Sequence, residues 1–249
     1  MINFTKVHAL GNDFLLVEDN QEIQADQLPA LTRRWCERHT GIGADGLILI
    51  KVLDFDQGRV SFRIFNADGS EAEISGNGLR CASAFLFHYQ KVPGKMINFE
   101  TIVGEHLTEL ISRDNNHFEI RTDMGQPKFS SKDIPFDDGS EHDFIIDYPL
   151  SINRKIYNVT CVSTGNPHCD IFVERFFPAR IEWHQIGQEV EHHPFFPNRT
   201  NVEFIRVLNR NEIEVLFWER GVGETLASGT GACAAAVASI LKGLTERKV

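Results

Sequence analysis

Two short stretches carry residue types at a spacing that could do chemistry: "EISGNGLRC" at 73–81 and "LASGTGACA" at 226–234. Each reads as serine, glycine, any residue, glycine and then a run that can wind into a helix, with Ser75 and Ser228 in the leading position. The first turn of a helix leaves backbone N–H groups without internal partners and concentrates positive partial charge there. Glycine lets a ligand approach that backbone closely, so one such start suits a carboxylate or a phosphate. Two of them, facing each other across a cleft, could hold one anionic group and present one side chain from each half to opposite faces of the bound molecule. That arrangement fits inversion at a carbon, where one group removes a proton and its mirror partner delivers one. The plainer use of either serine is as a helix N-cap.

The flanking residues narrow the ligand. Asn66 lies ahead of the first start in "FNADGSEAEISGNG", and Glu219 and Arg220 lie ahead of the second in "WERGVGETLASGTGACA". An arginine beside a helix N-terminus suits a carboxylate and a glutamate beside it suits an ammonium group, which together describe an amino-acid site. A surface ion pair between the two is the duller alternative. His168 in "GNPHC" is a general base by type, but a histidine after Asn-Pro is read here as support for the turn.

These elements occur twice at matched spacing. Gly11-Asn12 in "LGNDF" and Gly165-Asn166 in "TGNPH" are offset by 154 residues, and Ser75 and Ser228 by 153. Two motif pairs agreeing to within one residue indicate a duplicated half, each supplying a Gly-Asn turn and a glycine-rich helix start. Around them, "INFTKV", "GLILIK", "RVSFRIF", "HFEIRT", "KIYNVTCV", "NVEFIRV" and "EIEVLFW" alternate or run apolar as strands do. Helical patterns are fewer: "ADQLPALTRRWCERH" from Ala25, "NGLRCASAFLFHYQ" from Asn77, "ARIEWHQIGQ", and "GACAAAVASILKGL" from Gly231. The class is α+β. The polar run "RDNNHF" at 113–118 places a domain boundary near the midpoint, giving halves 1–115 and 116–249, with closure about that linker expected for a site built from both.

Bulk composition excludes several functions. Lys+Arg 25 against Asp+Glu 35 gives a net charge of -10 in 249 residues, with no basic block, so nucleic acid and anionic lipid are not expected partners. The N-terminus has no signal-peptide pattern and no apolar run reaches membrane-span length, so a cytoplasmic protein is expected. The five cysteines, 36, 81, 161, 169 and 233, are scattered and odd in number, which argues against a disulfide framework and against a zinc site.

Taken in order, "HALGNDF", "HTGIGADG", "FNADGSEAEISGNGLRC", "STGNPHC", "NRTNVEF" and "ERGVGETLASGTGACA" resemble the full motif set of the diaminopimelate epimerase family, through about residue 243. The resemblance implies two pseudosymmetric domains, each a sheet wrapped around a central helix. It also implies cofactor-free, metal-free, two-base epimerisation of LL- to meso-diaminopimelate, for lysine and peptidoglycan synthesis, in a protein that could form a homodimer. The family's substrate asparagines match Asn12, Asn66, Asn166 and Asn201. Its Glu-Arg pair matches Glu219 and Arg220, and its backbone donors match Gly76-Asn77 and Gly229-Thr230.

Two departures stand out. The family places a cysteine at each position held here by Ser75 and Ser228, one as thiolate and one as thiol. Cys81 and Cys233 lie six and five residues further on, more than a helical turn into each helix, and are expected to be packing residues. A thiol has a pKa of about 8.5, whereas an alcohol lies at roughly 15 to 16. That gap of about 7 units is roughly 9 to 10 kcal/mol against the anion, of which a helix terminus recovers only roughly 0.3 to 2 kcal/mol. The expectation is an epimerase-type isomerase that is inactive or very slow by the thiol mechanism. A near-isosteric Cys→Ser exchange and a hydroxyl-using relative are the two origins that fit. The alternatives are a hydroxyl-dependent dehydratase or an epimerase of another amino acid, and a non-catalytic amino-acid-binding protein. Secondly, family members continue past "LTERKV", so the second half is expected to lack the family's last strands.

Overall fold

The computed structural model describes residues 2–19, 23–177 and 179–249, and the chain divides into two compact units, Met1–Met124 and Gly125–Val249. In the first unit the strands are β1 (Thr5–Ala9), β2 (Asn12–Glu18), β3 (Gly46–Asp54), β4 (Arg59–Asn66), β5 (Glu71–Ala72), β6 (Met96–Thr101), β7 (Gly104–Asp114) and β8 (His117–Thr122). Helix α1 (Leu28–Cys36) follows a 3-10 turn at Ala25–Gln27 and crosses from β2 to β3, and α2 (Gly76–His88) follows β5. The sheet runs β1-β2-β3-β4-β6-β7-β8, with β5 paired to β4. The second unit holds β9 (Ile145–Ile152), β10 (Lys155–Ser163), β11 (Pro167–Phe172), β12 (Asn201–Asn209), β13 (Glu212–Glu219) and β14 (Gly223–Thr225), with α3 (Arg180–Glu191) between β11 and β12 and α4 (Gly229–Leu241) after β14. Its sheet order is β14-β13-β12-β11-β10-β9.

The duplication expected from the motif offsets is visible in the topology. In the first unit β1 pairs β2 antiparallel, β2 pairs β3 parallel, β3 pairs β4 antiparallel, β4 pairs β5 antiparallel, and a glycine-started helix follows. In the second, β10 to β14 repeat that sequence of pairings and α4 follows. Registers agree as well: Phe14, two residues after Asn12, lies opposite Gly46 at the start of β3, and His168, two residues after Asn166, lies opposite Asn201 at the start of β12.

Strands β2 and β3 are buried on both faces, as strands covered by helices on each side must be. Phe14, Leu16, Ile48, Phe62 and Ile64 pack with Leu79, Ala82 and Leu86 of α2. The alternate residues Leu15, Val17, Leu47 and Leu49 pack with Leu28 and Cys36 of α1. In the second unit Cys169, Ile171, Val202 and Phe204 pack with Trp183, Ile186 and Val190 of α3. Helix α4 lies over the opposite face and turns small buried residues, Gly231, Ala234, Ala235 and Ala238, inward.

Two expectations need correction. "RDNNHF" is the tight turn of the β7–β8 hairpin, where Asp114 pairs His117 and Asn115 takes φ 53°, so the division falls after Met124 and not at 115/116. A polar turn is a poor hinge when ladder hydrogen bonds hold both its arms. The first helix is also shorter than its pattern, because Glu37 is extended (ψ 126°) and its carboxylate accepts from the N–H groups of His39 and Thr40, at 2.6 and 2.7 Å. That local bonding competes with another helical turn.

Candidate active site

The expected site residues of each unit gather at the end of its sheet where the glycine-started helix begins. In the first unit Ser75 is the N-cap of α2: its backbone is extended (φ −142°, ψ 118°) and its Oγ accepts from the N–H of Gly78 at 3.0 Å. Asn77, buried in the first turn of α2, donates through Nδ2 to Oδ1 of Asn12 at 3.2 Å and accepts from the Arg80 guanidinium. Asn12 in turn donates to Asp45 Oδ2 at 2.8 Å, an oxygen that also accepts from the N–H of Asp13. Arg38 donates to both Asp13 and Asp45, and Lys6 pairs with Asp13. Burial raises the Asp13 carboxyl, but the hydrogen bonds and charges of Arg38 and Lys6 outweigh it and hold the group down at about 2. Asn66 closes β4 opposite Gly46 and donates to Ser70 Oγ at 3.1 Å. Gly76 and Gly78 are buried beneath this end of the helix, where a Cβ on Gly78 would stand 3.0 Å from Ile64 Cδ1 and 3.2 Å from Phe62 Cζ.

The second unit repeats the plan with different chemistry. Ser228 is the N-cap of α4 (φ −126°, ψ 126°), is 7% exposed, and accepts from the N–H of Gly231 at 3.1 Å. Gly229 and Thr230 open the helix, and Thr230 presents its Oγ1 at 3.5 Å from Asn166 Nδ2. His168, fully buried, stands between two partners: Nε2 lies 2.8 Å from Asn166 Oδ1 and Nδ1 lies 2.8 Å from Glu203 Oε1. Burial, opposed by Glu219 and reinforced by Arg220, pushes His168 down to about 3. Burial and then the charge of Glu219 push the Glu203 carboxyl well above the usual carboxylate range. His168 is therefore neutral near neutral pH, and burial works against the charged form of Glu203 as well.

Asn201 ties β12 to β11 by donating to the carbonyl of Pro167 at 2.8 Å, and its Oδ1 accepts from the N–H of Arg220 at 2.9 Å. Glu219 accepts from Thr225 Oγ1 at 3.0 Å, while the Arg220 guanidinium donates to the carbonyl of Asn198 at 3.2 Å. The Glu219-Arg220 turn is gripped from below by Glu191, whose carboxylate accepts from Trp218 Nε1 at 2.8 Å and from the N–H of Gly221 at 2.9 Å. The Trp218 side chain packs against α3 at Gly187, where a Cβ would come within 2.8 Å of its ring.

Cys81 is buried in α2 as a packing residue is, whereas Cys233 is only half-buried in α4. Burial pushes the Cys81 thiol up to about 12, so it supplies no thiolate at ordinary pH. Sequence reasoning missed Asp45, Glu203 and Glu191 as the braces behind the asparagines and the turn. Asp45 stands in "HTGIGADG" and Glu203 in "NVEF", and an acid embedded in an apolar strand was the available signal for the latter. Among the described residues no three His, Cys, Asp or Glu side chains form a group able to hold a metal ion, and no helix is long and apolar enough to cross a membrane.

Solved structures share the two-unit architecture. A probable proline racemase from Agrobacterium radiobacter, solved with bound carbonate, superposes with a TM-score of 0.71 at 15% identity, covering 99% of this chain and 79% of that one. A hydroxyproline epimerase from Agrobacterium vitis, solved with bound trans-4-hydroxy-L-proline, gives 0.70 at 15% identity, covering 98% and 78%. These define the class, a proline-racemase-like α+β fold. At the sequence level the diaminopimelate epimerase family model matches residues 4–130 and 160–249. The diaminopimelate epimerase of Moorella thermoacetica is 48% identical over 249 residues, covering 100% of this chain and 87% of that relative. That of Pelotomaculum thermopropionicum is 44% identical over 249 residues, with the same coverages. The chain belongs to the diaminopimelate epimerase family, a family of isomerases.

Proposed function

We propose that this protein binds diaminopimelate as an epimerase of its family does, without a cofactor, and that Ser75 and Ser228 occupy the positions of the two proton-handling groups. The observation that carries the reading is the repeated constellation: in each unit a serine caps a glycine-started helix, beside an asparagine at the head of the parallel strand pair. In this reading Asn12, Asn66, Asn166 and Asn201 offer amide groups to the ligand. Glu219 meets an ammonium group, Arg220 meets a carboxylate, and the N–H groups of Gly76-Asn77 and of Gly229-Thr230, each at the positive end of its own helix, are donors suited to anionic groups of the ligand. None of the five cysteines is in a disulfide, which suits a reducing, cytoplasmic compartment.

The two hydroxyls are weak at the task assigned to them. Forming an alkoxide where the family forms a thiolate lies about seven powers of ten uphill, so proton exchange at the α-carbon is expected to be very slow. The test is solvent-deuterium incorporation into LL-diaminopimelate, by the chain as it stands and by Ser75→Cys with Ser228→Cys, with the product mass recorded. The unaltered chain is expected to bind ligand and exchange near background, and the double-cysteine chain to interconvert LL and meso forms. Exchange at ordinary enzymatic speed by the unaltered chain would sink the reading. So would continued silence of a ligand-binding double-cysteine chain, or a product lighter by one water.

A further inference from the structure

The duplicated halves act as each other's control. On the sheet face covered by the glycine-started helix, the first unit places Phe14, Leu16 and Ile48, all in its apolar core, with Leu16 opposite Ile48. At the matching positions the second unit places His168, Asp170 and Glu203, with Asp170 opposite Glu203. All three are at most 1% exposed. The same fold packs well with three hydrocarbon side chains there, so the polar trio is not required by the architecture and carries a desolvation cost. Such a cost is retained where the polar groups perform a task.

The proton positions can be worked out from the partners. Glu203 Oε2 has no hydrogen-bond partner, whereas Oε1 faces His168 Nδ1 at 2.8 Å. A buried O–H left without an acceptor costs more than a carbonyl oxygen left bare, so the acid proton belongs on Oε1. A neutral imidazole that accepts at Nδ1 carries its hydrogen on Nε2, which faces Asn166 Oδ1. We infer that Glu203 is a positioning residue: its carboxylic acid donates to His168 Nδ1, fixes the Nε2–H tautomer, and so holds Asn166 with its amide N–H groups turned toward the first turn of α4. Gly231 makes room for this: Glu203 Oε1 would lie 2.6 Å from a Cβ placed there. The relay sets how Asn166 meets a ligand at that helix start, and in this it rests on the epimerase reading.

The experiment has a spectroscopic arm and a binding arm. In the full chain labelled with 15N-histidine, His168 is identified among the ten histidines by the signal missing from His168→Phe. The expected spectrum shows Nε2 protonated and Nδ1 accepting. Glu203→Gln should keep it, because the amide N–H takes over the donation, and Glu203→Leu should lose it. Calorimetry with diaminopimelate should find Glu203→Gln within about twofold of the unaltered chain and Glu203→Leu weakened roughly tenfold. Glu203→Leu also bares His168 Nδ1, so its urea midpoint is expected to fall, and binding is compared only on the folded variant. A merely structural role would lower the midpoint and leave binding by the folded variant undiminished. Nδ1 protonated in the unaltered chain overturns the inference, and so does undiminished binding by folded Glu203→Leu. If the unaltered chain binds no diaminopimelate, the epimerase reading falls and the nitrogen spectra alone decide. If Glu203→Leu does not fold, the Glu203→Gln spectrum decides, a changed tautomer overturning the proposal.

Discussion

A serine that caps a helix through its oxygen keeps its own hydrogen available, so Ser75 and Ser228 can fill a structural post and still face a ligand. The two roles pull apart on substitution. Removing the hydroxyl in Ser228→Ala should cost about 1 kcal/mol of stability, and Ser75→Ala a similar amount. A cysteine at either position is a weaker acceptor than a hydroxyl, so the double-cysteine chain that is expected to gain turnover should also melt earlier, by roughly the same energy per site. Thermal unfolding of the single and double variants checks this, and a double-cysteine chain more stable than the parent would contradict the capping account. At this scale the sequence was informative where residue type dictates local geometry. Serine before glycine at a helix start is an N-cap on sight, whereas the bonds of Asn12 to Asp45 and of His168 to Glu203 join residues more than thirty positions apart and need the sheet register to be seen.

Elements were legible in proportion to their periodicity. The apolar runs of "GLILIK" and "NVEFIRV" announced β3 and β12, and the glycine-started helices fell within three residues of their patterns. The boundary near 115 was misread because a polar, turn-forming run looks the same whether it joins two domains or two arms of one hairpin. The glycines inside the helix starts have unequal burdens. At Gly78 an added Cβ meets Ile64 Cδ1 at 3.0 Å and Phe62 Cζ and Ser75 Cβ at 3.2 Å, contacts relieved by shifts of a few tenths of an ångström. At Gly231 it meets Glu203 Oε1 at 2.6 Å, Phe217 Cδ1 at 2.9 Å and Ser228 Oγ at 3.0 Å, groups tied into the relay and the cap. Gly231→Ala should therefore destabilise by about 1–3 kcal/mol and Gly78→Ala by less, as read from urea midpoints; equal costs would count against the difference in packing described here.

For the whole molecule, the buried acids make stability depend on pH in a direction that can be worked out. Burial, and beyond it Glu203 whenever that carboxyl is ionised, raise the Asp170 carboxyl well above its ordinary range, and neither of its oxygens has a partner. An acid whose folded pKa is raised contributes fully below its unfolded value of about 4, and its contribution is lost as pH rises toward the folded value. His168 acts with the opposite sign: held neutral, it contributes fully above about pH 6.5 and less as pH falls toward its folded value. Asp170→Leu, which copies Leu16 of the first unit, should raise the urea midpoint and raise it more at pH 8 than at pH 5, by about 1 kcal/mol per pH unit within the window. A variant no more stable than the parent at pH 8 would show that the carboxyl is not strained in this way. The three tryptophans are divided so that Trp35 lies in the first unit while Trp183 and Trp218 lie in the second. The indole pressed against Gly187 is bonded to the same glutamate that grips the Glu219-Arg220 turn. The protein thus carries a built-in fluorophore, one residue from its expected ligand contacts, whose emission reports the state of that turn without any dye or label.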